Sequence, residues 1–299
     1  MINRSNSNSF NITIMKKIIT TITTVMLLAL GAVPAFSQAA TLGVGVSAST
    51  SATVGGTGAG AGANARASLR AAALVKLIAN AQQRADQEIT RRISALDALS
   101  TRVNAMVKLS ASDKTSLSTT IQSQITLMNQ LQTQIAADAA ANSTTSLKAD
   151  IQSITKSYRI FILVIPQGAI EAASDRVMTV AGMMTTLSGK LQTRITAAQS
   201  AGADMSTSVS ALADLNAKVA DAQTQSQAAV TEVASLQPDN GVASVEASNT
   251  AALKDARSKI QAAQQDLIAA RTDAGTIVKA LIAVNATAST TVTASTSTP

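Results

Sequence analysis

The sequence has no cysteine, no histidine and no tryptophan, and only 14% of its 299 residues are charged. Each absence removes a class of function. Without cysteine there is no disulfide framework, no thiolate nucleophile and no lipid anchor at a processed cysteine. Without histidine or cysteine, the ligands that zinc, copper and haem iron require are missing. Proton relays through imidazole are excluded as well. One tyrosine and three phenylalanines are too few to stack bases, so no nucleic acid is expected as a partner. No motif implies a cofactor.

What is present begins with a leader pattern. Lys16 and Lys17 precede an uncharged, largely apolar stretch, Ile18–Leu30, and Gly31 and Pro34 then break it ahead of small residues. That order of basic, apolar and small residues is how a secretory signal peptide reads. The apolar stretch is about 13 residues, short of the roughly 20 that a membrane span needs, so cleavage is expected rather than retention as an anchor. Two cleavage points fit, after Ser37 and after Ala39. Starting at Met15 instead of Met1 gives Met-Lys-Lys, a more compact leader. Residues 1–39 are therefore assigned to a signal peptide and the protein to an exported location: periplasm, cell surface or medium. The leader takes Arg4, Lys16 and Lys17 with it, which lowers the net charge from +7 to +4.

The remainder divides into three. Residues 40–64 are rich in Gly, Ala, Ser and Thr, and Gly55–Gly62 has the composition of a flexible linker. No Lys-Ser or Lys-Thr follows it, as a phosphate-binding loop would require. Residues 285–299, nearly all Thr, Ser, Ala and Val, read as a disordered tail. Between them, residues 65–284 are poor in glycine and rich in helix formers. Apolar residues recur there at alternating threes and fours, without the period of two that marks a strand.

These runs are heptad seams. One holds Ile89, Ile93, Leu96, Leu99, Val103 and Met106, and the next Leu117, Ile121, Ile125, Met128, Leu131 and Ile135. A third runs Leu147, Ile151, Ile154, Tyr158, Phe161, Ile165, and a fourth runs from Ile170 to Leu191. A fifth spans Val209–Leu236, and the last includes Leu253, Ala256, Ile260, Ala263, Leu267 and Ala270. Ser110–Asp113, Asn142–Thr144, Ala201–Asp204 and Gln237–Gly241 carry cap and turn residues between the runs. Short connections between long helices force antiparallel neighbours. The expected fold is all-α: an elongated antiparallel bundle, coiled-coil-like, of about five to six long helices with disordered ends. Pro166 with Gly168 either kinks one helix or separates two.

Two features suggest contact surfaces. From Arg66 to Lys108 eight basic residues face only Asp86, Glu88 and Asp97, and Arg70, Arg84 and Arg91 share one heptad position. With Arg102 they form a basic stripe suited to an anionic envelope surface or an acidic partner. A plainer reading is a solvated flank that pairs with acidic neighbours such as Asp214 and Asp221. The second feature is Tyr158–Ile165, where six consecutive large apolar residues exceed one narrow seam. Either neighbouring helices surround it, or Tyr158, Phe161, Ile162 and Val164 meet a partner or a bilayer surface. Catalysis is not expected: only four glutamates are present, and Asp86 and Glu88, two apart, do not face each other on a helix.

The segments Ile89–Lys108, Ala149–Arg159 and Leu253–Ala270 resemble exported, all-helical, coiled-coil-like proteins of bacterial type with no known activity. The resemblance covers most of the helical body, neither tail, and carries no functional residue across. Composition and resemblance together point to a non-enzymatic structural or interaction protein of the cell envelope, a spacer, stalk or adhesin-like module. An amphipathic protein making peripheral contact with membrane lipid is the first alternative, and a periplasmic holdase-like chaperone the second. Heptads leave open whether their partners lie in the same chain or in a homo-oligomer.

Overall fold

The computed structural model describes residues 59–156 and 158–294, with the side chains of 65–156 and 158–286. The expected leader, most of the linker and the last five residues of the tail lie outside this range. Six α-helices and one π-helical segment follow in order: α1 (Ala59–Ala105), α2 (Ala111–Ala140), α3 (Thr144–Lys156), the π segment (Ile160–Val164), α4 (Ile165–Ser200), α5 (Ser206–Ala234) and α6 (Ala243–Ala294). Among the described residues there is no strand.

The helices are long because little in the sequence stops them. α1 already includes 59–64, assigned above to the linker, and α6 runs ten residues into the expected tail. The reason is the same at both ends. Ala59, Ala61 and Ala63 favour the helix despite Gly60 and Gly62. Thr and Ser beyond Asn285 are weak helix formers but not breakers, and no Gly or Pro intervenes before Ala294.

The turns are built as the cap residues dictate. The Ser110 hydroxyl accepts the Asp113 amide at 3.1 Å and donates to the Asp113 carboxylate at 2.6 Å, which starts α2. Asn142, Gly202 and Gly241 adopt left-handed backbone after α2, α4 and α5 respectively. Asp204, expected to cap α5, instead accepts the Ser206 amide from one position before the cap, Met205.

Three helices pack at each end of the molecule. At one end α1, α2 and α3 alternate in direction, and Ile89, Leu96, Val103, Ile121, Met128, Ile135, Ile151 and Ile154 form their core. At the other α4, α5 and α6 alternate likewise, around Met184, Leu187, Leu191, Leu215, Ala263, Leu267 and Ile277. A smaller cluster, Leu163 and Ile170 with Val233, Leu253 and Ile260, fills the junction. The seams are thus satisfied within the chain. Ala222, Ala263, Ala270 and Ala274 are fully buried, and their small side chains let α4, α5 and α6 approach closely.

The chain does not bend at Pro166. It turns at Tyr158 and Arg159, where Arg159 takes left-handed backbone (φ 44°), and then runs through the π segment into α4 without interruption. Pro166 lies in the first turn of α4, where a missing amide is tolerated. Its ring clashes with a regular α carbonyl four residues back, at Ile162, and the wider π turn, closed by the Ile165 amide on the Ile160 carbonyl, relieves that clash. The third seam, expected to run unbroken through Tyr158 and Phe161, is therefore two elements.

Candidate functional site

Among the described residues, no helix packs over the outer end of α1. Every described residue from 65 to 77 is exposed, and the first buried one is Ile78. Leu69 is 70% exposed, Val75 57% and Leu77 47%, beside Arg66, Arg70 and Lys76. No acidic residue occurs on α1 before Asp86. This overhang combines apolar side chains in water with positive charge.

Further along α1, the arginines part company. Arg70, Arg84 and Arg102 are exposed. Arg91 is also exposed, yet it is engaged: it donates to Glu88 at 3.0 Å and its guanidinium lies 4.6 Å from the centre of the Phe161 ring. Arg92 is almost fully buried, paired with the same Glu88 carboxylate and 5.1 Å from the same ring. Burial pushes the Glu88 carboxyl up, but hydrogen bonds and charge from Arg92 and Arg91 outweigh this and hold it below its usual range. Phe161 is therefore the platform on which two arginines of α1 rest. The acidic partner that the structure gives Arg91 and Arg92 is Glu88, on α1 itself.

The Tyr158–Ile165 stretch is mostly core. Ile160, Leu163, Val164 and Ile165 are buried, Tyr158 and Phe161 half-buried, and only Ile162 is exposed. Val164, at 2% exposure, is a packing residue and not part of a contact surface. The corner itself is tied to the far bundle. Arg159 pairs with Asp239 (Nε to Oδ2 2.8 Å) in the turn before α6, and with Glu246 (3.0 Å) in the first turn of α6. The Gly241 amide also donates to Asp239 at 2.7 Å.

The junction holds a third arrangement that the sequence reading missed. The first turns of α4 bury Gln167, Glu171, Ser174 and Asp175. Gln167 donates to the Val233 carbonyl at 2.8 Å and to that of Leu236 at 3.1 Å. Ser174 and Ser226 share a hydrogen bond of 2.7 Å. Asp175 accepts the amides of Lys108 and Leu109 and so holds the α1–α2 loop against α4. Glu171 is the exception. It is 4% exposed and its Oε2 has no hydrogen-bond partner. Burial, with the Asp113 charge adding to it, pushes its carboxyl up to about 7. It lines a cleft of about 140 Å³ between α2, the start of α4 and the end of α5. The spacing of Gln167, Glu171 and Ser174, four and three apart beside an apolar seam, is the signal of a polar stripe on a helix covered on both sides.

Among the described residues no three carboxylates converge as metal ligands would, and no helix is long and apolar enough to cross a membrane. Compared with protein-family models, with curated proteins and with solved structures, the chain gives no match.

Proposed function

We propose that this chain is an exported, non-enzymatic structural or interaction protein of the cell envelope, a helical rod that holds one contact end at a distance from the other. The observation that carries this reading is the α1 overhang. A helix end that exposes Leu69, Leu74, Val75 and Leu77 loses stabilisation of about 25 cal/mol for every Å² of apolar surface left in water. A partner that covers it regains that stabilisation. The basic stripe running on through Arg84 supplies long-range attraction to an acidic partner. The leader pattern and the resemblance noted above supply the compartment.

The same overhang favours one second reading, peripheral binding to an anionic membrane surface, because Arg66, Arg70 and Lys76 stand beside the exposed apolar residues with no acid among them. The two readings separate in one experiment. In the native cell, fractionation with N-terminal sequencing and cross-linking is expected to recover the chain outside the cytoplasm, starting at Gln38 or Ala40 and joined to an envelope protein through the overhang. Full-length chain in the cytosol sinks the proposal. Co-sedimentation with anionic vesicles, lost when Leu69 and Leu77 become serine, selects the membrane reading instead.

A further inference from the structure

The cleft beside Glu171 brings together two buried acceptors from different helices that are left over; the others among the described residues, on Asp138, Asp150 and Asp273, do not line it. Glu171 Oε2 and Gln124 Oε1 both line it, and both are buried without a hydrogen-bond partner. Such an atom is destabilising when nothing donates to it. Three side-chain donors of the junction are committed elsewhere. Gln167 Nε2 serves two α5 carbonyls, Lys114 Nζ caps the carbonyls of Asn104 and Met106 at 2.9 and 3.1 Å, and Arg159 is held by Asp239 and Glu246.

No basic residue lines the cleft, while Asp113 adds a second carboxylate at its wall. The remaining lining is mixed: Leu117, Leu163, Val164 and Leu236 give it an aliphatic side, and Ser116, Thr120 and Gln237 a neutral polar one. Leftover oxygen acceptors and negative charge select a ligand with charged N–H donors, and the aliphatic side of the wall accommodates a short hydrocarbon chain. At about 140 Å³ the space is well below the roughly 300 Å³ of a drug-sized pocket, so that ligand is small. Only two carboxylates line it, Asp113 and Glu171, and among the described residues no three acidic side chains converge as a metal ion would require.

We propose that this cleft binds a small aliphatic amine in its ammonium form, with Glu171 as counter-ion and Gln124 as the second acceptor. The proposal is independent of the contact-end reading above and does not depend on where the protein resides. Filling the cleft ties α2 to α4 and α5, so an amine would brace the junction between the two bundles.

Isothermal titration of the full chain with putrescine at about pH 8, where Glu171 is ionised, tests it. Wild type is expected to bind one putrescine, and Glu171→Gln to weaken binding tenfold or more while melting no lower than wild type. Gln124→Met, which leaves Glu171 in place, is expected to weaken it in the same direction and decides the matter if Glu171→Gln does not fold. The proposal is overturned by the absence of saturable binding, by unchanged affinity in the variant, or by a response to calcium or magnesium chloride in place of the amine.

Discussion

Because the Glu171 carboxyl ionises at about 7 when folded against the usual 4.5, folding favours its protonated form. Below about pH 4.5 both states are protonated and the group has no effect. As pH rises towards 7 the native chain keeps a proton that the unfolded chain has released, so stability falls. Above that the whole penalty applies, on the order of 3 kcal/mol. The chain has no histidine to add its own titration in this window. Thermal melts followed by circular dichroism should show the midpoint dropping by several degrees between about pH 5 and 8, and Glu171→Gln should flatten that dependence. Arg159 poses the opposite problem, since its left-handed backbone is strained and its ion pairs hold it there. Arg159→Ala should lose about 3 kcal/mol in urea unfolding, because it leaves buried Asp239 without its partner. Arg159→Gly should lose about 1 kcal/mol less, since glycine accepts that backbone freely. Neither residue announced itself in the sequence. A lone glutamate and a lone arginine look alike wherever they stand, and their burial depends on which helices close over them.

Helices were far more legible than single side chains. Every residue of the last seam from Leu253 to Ala270 is buried, because a helix with one covered face must place its apolar residues at that spacing. The failures are local. Val209 was expected in the fifth seam and is 43% exposed, while Met205 and Ser208 take the inward positions at the start of α5. The third seam kept its four-three spacing straight through a corner, because spacing carries no record of backbone handedness. Gly168 shows how α4 depends on its neighbour. A Cβ there would lie 2.5 Å from Leu99 Cδ1 on α1, so Gly168→Ala should destabilise the chain by about 1–2 kcal/mol even though alanine is the better helix former. Adding Leu99→Ala should relieve the clash, so that the pair shows a favourable coupling in a double-mutant cycle.

At the scale of the whole molecule, α1 and α4 run in the same direction and overlap only from Phe161 to the α1–α2 loop, which sets the two bundles end to end. Counting along α1 to the level of Phe161 and then along α4, at 1.5 Å per residue, gives a body on the order of 100 Å long. A compact chain of this size would have a radius of gyration near 18 Å. Small-angle scattering on residues 59–294 should give about 30 Å, with a mass of one chain because the seams are filled internally. An elongated bundle was readable from heptads and short connections. That α4 serves both bundles was not, because periodicity identifies an apolar face without identifying what covers it.

One consequence follows from that shared helix. A pull applied across the two ends of the molecule is carried through the junction by the continuous backbone of α4, with no linker to give way first. Slack is absent where most tandem modules have it, so the two halves should yield to tension together and the span between the ends should stay fixed until they do.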